Sequence, residues 1–204
     1  MALVALLVYV AFLLVTFGGK SITMKRRIGS TGFHGMSEEE GPVERFAGIL
    51  IILGSIGALV APVLQLTGVT EPFGALDGTW VGWAGLVLAL LGWVLCLVSQ
   101  AEMGESWRIG VEPGERTELV TEGLFAYSRN PFFAAVFIFA LGLFLMVPNP
   151  IAVVAGLCLF LGFQIQVRTV EEPNLREVFG EAYVRYGERV GRYLPGIGRF
   201  PRAS

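Results

Sequence analysis

The residues best suited to chemistry in this chain are arginines and carboxylates set beside long apolar segments. Arg116, Glu118, Glu122 and Arg129 fall in the stretch RTELVTEGLFAYSRNPFF (116–133). Arg168, Glu171 and Glu172 follow in VRTVEE. A guanidinium grips an anion through paired N–H donors, and a carboxylate grips a cation or accepts a proton. Together they suit a charged small molecule held between facing walls. Other chemistries have little footing. The only histidine is His34, in GSTGFHGMS, and Cys96 and Cys158 sit inside apolar runs with no CxxC. A His/Cys metal site and a His-based nucleophile triad are therefore not expected. With a net charge of −2 and no basic domain, a nucleic-acid partner is not expected either.

The elements that position these groups are apolar. Of the 204 residues, 54% are hydrophobic and 16% charged, against about 25% charged in soluble domains; mean hydropathy is +0.66. Residues 1–19, 46–66, 80–98, 132–147 and 151–167 contain no Asp, Glu, Lys or Arg. A bilayer takes about 20 apolar residues of helix, and backbone groups in lipid need internal partners. The expectation is an all-α, polytopic membrane protein with five transmembrane helices. Spans four and five form a short helical hairpin around Pro148-Asn149-Pro150. All 15 Lys and Arg then fall on one side of the membrane. Basic loops stay inside, so the N-terminus is expected outside and the C-terminus and charged segments in the cytoplasm. Gly48, Gly54 and Gly57 in span two and Gly82, Gly85 and Gly92 in span three suit close helix approach.

Arg129-Asn130-Pro131 opens span four. Proline favours the first helical turn and disfavours helix before it, so the N–H groups around Asn130 could meet a polar ligand group. The short turn makes spans four and five neighbours, which should bring Arg129 close to Glu171. Leu175, Val178, Phe179, Ala182, Tyr183 and Tyr186 recur at helical spacing. They predict one amphipathic cytoplasmic helix lying along the interface or capping the bundle, with Pro173 in its first turn.

In order, Leu119-Val120, Gly123-Leu124-Phe125, Arg129-Asn130-Pro131-Phe132-Phe133, Glu171-Glu172-Pro173-Asn174-Leu175, Phe179-Gly180-Glu181-Ala182-Tyr183-Val184-Arg185-Tyr186 and Leu194-Pro195 resemble the integral-membrane methyltransferases of the isoprenylcysteine carboxyl methyltransferase and phospholipid methyltransferase family. The resemblance covers about residues 100–197. The apolar runs give an N-terminal part (1–99) of three spans with a long loop at 20–45, and the resemblance implies a methyltransferase core after it (100–204). It implies that S-adenosyl-L-methionine is bound by Thr117, Glu118, Leu119, Val120, Phe125, Asn130, Pro131, Phe132, Phe133 and Glu171. Arg168, Glu171, Glu172 and Arg129 are the catalytic candidates. Eukaryotic members usually carry His where Thr117 and Asn130 stand, and Tyr where Phe125 and Phe133 stand. The implied substrate is a lipophilic small molecule or membrane lipid, most readily a prenylcysteine-like or isoprenoid carboxylate, in a bacterial-type inner or plasma membrane. The C-terminal region is also similar to membrane sterol and steroid reductases, which bind NADPH; the Glu-Glu-x-x-Leu element and the five spans favour the methyltransferase. A non-catalytic membrane scaffold is the remaining alternative.

Overall fold

The computed structural model describes residues 1–19, 41–104 and 119–201. Loop residues 20–40, the 105–118 segment with Arg116, and the predicted cofactor residues Thr117 and Glu118 lie outside the described residues. The described chain is helical, with one isolated parallel bridge, Ser128 to Gly191. Helix α1 spans Ala2–Leu13 and continues as a π-helical segment, Leu14–Gly19. Then come α2 (Pro42–Leu66), α3 (Thr79–Met103), α4 (Pro131–Met146) and α5 (Pro150–Gln166). A π-helical turn, Val167–Glu171, leads into α6 (Glu172–Phe179), and α7 (Glu181–Arg189) follows. Three helices are long and apolar enough to cross a membrane: α2, α3 and the continuous Pro150–Phe179. The apolar helices Ala2–Gly18 and Pro131–Met146 are shorter.

The helix starts follow local chemistry. Pro42, Pro131, Pro150 and Pro173 each occupy a first turn, where a missing N–H costs nothing. At the head of α2 the Glu44 carboxylate accepts the Gly41 N–H at 2.9 Å, a capping contact. Asn149 caps α5 by accepting from the Ala152 N–H at 3.0 Å. Its amide donates to the Ala61 carbonyl and to Gln65 Oε1, both at 3.1 Å. The buried Asn149 thus ties the hairpin turn to the end of α2.

Two helix pairs make the frame: α3 packs on α4 and α2 on α5. Small residues permit both. A Cβ on Gly92 would sit 2.5 Å from the Phe139 nitrogen, and one on Gly85 would sit 2.7 Å from the Gly142 carbonyl oxygen. A Cβ on Gly54 would meet Leu159, and one on Gly57 the Ala155 Cβ at 2.8 Å. In lipid, such close approach supplies the van der Waals contact that drives association. Helix α1 closes the bundle. Its Tyr9 hydroxyl donates to the Ser55 carbonyl at 2.8 Å, and its Phe12 ring stacks on Phe139 at 4.0 Å. The hairpin helices α4 and α5 touch each other far less than either touches its main partner. Aromatic rings fill the space between them: Phe133 on Phe163 at 4.8 Å and Phe137 on Phe160 at 5.4 Å.

The single C-terminal amphipathic helix is replaced by two short ones. Gly180 takes φ +52°, a conformation open to glycine and costly for other residues, and the chain turns there. Tyr183 and Tyr186 are consequently buried with Phe200, whereas Val178 and Ala182 point outward. A continuous helix would have put all four on one face.

Candidate functional site

The site is built where the C-terminal segment folds back on the chain entering α4. Glu102, in the last turn of α3, accepts the Leu124 N–H at 2.8 Å and fixes a short 3-10 helix, Gly123–Ala126. The Tyr186 hydroxyl donates to the Phe125 carbonyl at 2.6 Å. The Arg129 N–H donates to the Gly191 carbonyl at 2.9 Å and the Asn130 N–H to the Arg192 carbonyl at 3.0 Å. Ser128 Oγ and Asn130 Nδ2 converge on that same Arg192 oxygen, at 3.1 and 3.2 Å. The Arg129 and Asn130 backbone donors at the head of α4 are therefore spent on the returning chain.

Arg129 is enclosed. Its side chain is 0% exposed. Nη1 donates to the Gly187 and Val190 carbonyls, and Nη2 donates to the Gly198 carbonyl at 3.1 Å and to Glu172 Oε1 at 2.7 Å. The Phe200 ring lies 4.1 Å from the guanidinium carbon, with Arg176 at the same distance from that ring. Glu172 receives a second arginine: Arg192 Nε donates to Oε1 and Nη2 to Oε2, both at 2.8 Å. The two guanidinium groups neutralise the buried Glu172 carboxylate through charge-assisted hydrogen bonds. Glu172 in turn raises the Arg192 pKa.

The carboxylate that meets Arg129 is thus Glu172, one residue beyond the expected Glu171. The cause is the π-helical turn. The Glu172 N–H donates to the Val167 carbonyl, five residues back, so the wider turn puts Glu172 beneath the fully buried Val167. A regular α-helix would have put Glu171 there.

Glu171 occupies the neighbouring position and makes no ion pair among the described residues. It is partly buried. Tyr193 faces Glu171, Arg168 and Arg192 electrostatically, and its ring packs on Phe137 at 5.4 Å. Arg168 itself is exposed, turned away from Val167.

The remaining candidates divide. Leu119 packs on the Tyr183–Tyr186–Phe200 cluster, and Phe125 is buried beside it; Val120 is half-buried. Pro131 is buried at the head of α4. Phe132 turns toward α1, 6.3 Å from Phe17, while Phe133 turns toward α5. The site's other members are Arg192, Tyr193, Phe200 and Glu102. Sequence reasoning missed them because none recurs at helical spacing and Glu102 sits 22 residues from its partner. The presence of a second arginine shortly before Leu194-Pro195 was the one available hint. No group of three or more His, Cys, Asp or Glu able to hold a metal occurs among the described residues.

The chain is similar to known proteins in sequence and in fold. The chain is 28% identical over 150 residues to protein-S-isoprenylcysteine O-methyltransferase B of Arabidopsis thaliana, covering 72% of this chain and 73% of that protein. It is 33% identical over 122 residues to protein-S-isoprenylcysteine O-methyltransferase of Rattus norvegicus, covering 58% of this chain but 43% of the rat protein. Its fold matches that of the eukaryotic intramembrane Ras methyltransferase ICMT (isoprenylcysteine carboxyl methyltransferase) with a TM-score of 0.64 at 21% identity, over 95% of this chain and 67% of that one. The profile of the phospholipid methyltransferase family matches residues 80–182, from α3 into α7. That stretch is half of the chain and holds both Arg129 and Glu172, and by it the protein belongs to the phospholipid methyltransferase family.

Proposed function

We propose that the protein is an S-adenosyl-L-methionine-dependent membrane methyltransferase whose acceptor is lipophilic, most readily the carboxylate of a prenylcysteine-like or isoprenoid molecule. The named relatives support O-methylation. The observation that carries the cofactor is Glu171, a partly buried carboxylate beside the Glu172 ion pairs with no cationic partner among the described residues. A cationic ligand, whether through its ammonium or its sulfonium, would supply the missing charge. Leu119, Val120, Phe125, Asn130, Pro131, Phe132 and Phe133 are the candidate cofactor contacts, and 100–204 is the candidate methyltransferase core. When bound, the cofactor supplies an electrophilic methyl group, transferred in line to the acceptor.

The chain's own task is alignment, which can supply on the order of 7 to 11 kcal/mol of barrier lowering at best. A carboxylate acceptor already carries its attacking lone pair and needs no base. Arg129 has its Nη donors committed to three carbonyls and Glu172, so it positions rather than grips. Arg168, exposed in the π-helical turn, is the candidate to hold an acceptor carboxylate. For an amine or thiol acceptor, Glu171 is the candidate base, because both Glu172 oxygens are bonded to arginines. The five apolar helices are taken as five spans, with the N-terminus outside and the site cytoplasmic, from the one-sided Lys and Arg distribution.

Calorimetry on detergent-purified protein tests this reading. S-adenosylhomocysteine is expected to bind, and Glu171→Gln to weaken binding with the fold intact. Binding of NADPH without S-adenosylhomocysteine would overturn it in favour of a reductase.

A further inference from the structure

The C-terminal segment ends the site with a turn whose surface the methyltransferase reading does not use. Leu194-Pro195-Gly196-Ile197 closes on itself: the Ile197 N–H donates to the Leu194 carbonyl at 3.1 Å, and Gly196 has φ +78°. Proline and a positive-φ glycine at the two central positions define a type II turn. Its base is clamped, since the Arg192 N–H donates to the Ile197 carbonyl at 2.8 Å and the Gly198 carbonyl accepts from Arg129. Yet its corners are bare: Leu194 is 57% and Ile197 64% exposed, with Tyr127 on the adjoining segment at 66%. A rigid turn that displays two aliphatic side chains is costly in water.

Its depth says what covers it. The preceding Tyr193 packs on Phe137, and its hydroxyl reaches the Phe163 carbonyl at 3.5 Å. Phe137 lies six residues into α4, about 9 Å along its axis at 1.5 Å per residue. Phe137 also touches Phe160, which is 44% exposed on the outer face of α5. The turn is therefore continuous with the lipid-facing surface of the bundle. Charge complements it. Residues 189–201 hold no acidic residue; Arg192 is bonded to Glu172, Arg189 is exposed, and the Arg199 guanidinium lies against Gly196 at the tip. Aliphatic corners beside guanidinium groups match the boundary between acyl chains and anionic headgroups.

We propose that the Leu194–Ile197 turn is an interfacial anchor that inserts into the membrane surface beside anionic lipid and so holds the Arg192 segment closed on Glu172. Nitroxide-labelled Ile197→Cys, in a Cys158→Ala background of the full chain reconstituted in nanodiscs, tests this with no cofactor present. In discs containing phosphatidylglycerol, collisions with oxygen are expected to exceed those with a water-soluble nickel chelate. Labelled Ala182→Cys on the outer side of α7 should show the reverse. Nickel accessibility at position 197 should rise several-fold in pure phosphatidylcholine, or with Arg189→Gln and Arg199→Gln together. Equal nickel collisions at 197 and 182 would overturn the anchor, as would spin–spin broadening from a second copy. An unchanged accessibility across both lipid mixtures would overturn the anionic preference. Because none of these readings involves methyl transfer, they fail or succeed separately from the proposed activity.

Discussion

At the residue scale the decisive pair is Glu171 and Glu172, adjacent in sequence and different in pairing. Glu172 is bridged by two arginines; Glu171 has no ion pair among the described residues. If Glu171 grips the cationic part of the cofactor, Glu171→Gln should weaken S-adenosylhomocysteine binding several-fold in calorimetry and leave the melting curve in place. Arg129→Ala would leave Glu172 with one arginine and uncap three carbonyls. Removing one partner of a buried pair costs about 3–5 kcal/mol, so thermal unfolding in detergent should shift down strongly. Arg168→Ala, at an exposed position, should leave the melting curve in place and raise the acceptor KM.

At the element scale the α3–α4 seam depends on glycine. A Cβ at Gly92 would meet the Phe139 nitrogen at 2.5 Å and the Ala135 carbonyl oxygen at 2.9 Å. These are backbone atoms that cannot step aside. Gly92→Ala should destabilise by about 1–3 kcal/mol through overpacking. Gly156, on α5, has no atom within 4 Å of the same position. Gly156→Ala should be neutral or stabilising by about 0.5–1 kcal/mol, because alanine loses less backbone freedom in a helix. Detergent melting curves of the two variants side by side check the contrast. The π-helical turn at Val167–Glu171 is the other element with a defined task. It selects which carboxylate faces Arg129.

At the scale of the whole molecule, the fold brings Arg129, Glu172 and Arg192 together at one end of an apolar bundle, with α2 and α3 from the first half packed on α5 and α4 from the second. The proposed orientation predicts that phosphatase fused in the 67–78 connection is active outside the cell and that a fluorescent protein fused at the C-terminus matures inside. The reverse pattern would invert the assignment of the site to the cytoplasm.

The sequence by itself determined the class and the neighbourhood. Long runs without Asp, Glu, Lys or Arg could only be apolar helices, the Pro-Asn-Pro turn set α5 back beside α4, and the Arg129 and Glu171–Glu172 motifs marked the family. These are local or compositional properties, carried by residues a few positions apart. Pairing needed the tertiary structure. Whether Arg129 meets Glu171 or Glu172 depends on one wider helical turn, and the involvement of Arg192 depends on a chain segment returning 62 residues later to bond Asn130. Hydropathy and periodicity describe which face of an element is apolar. They carry no information about a register shift of one residue or about which distant carbonyl an arginine will reach.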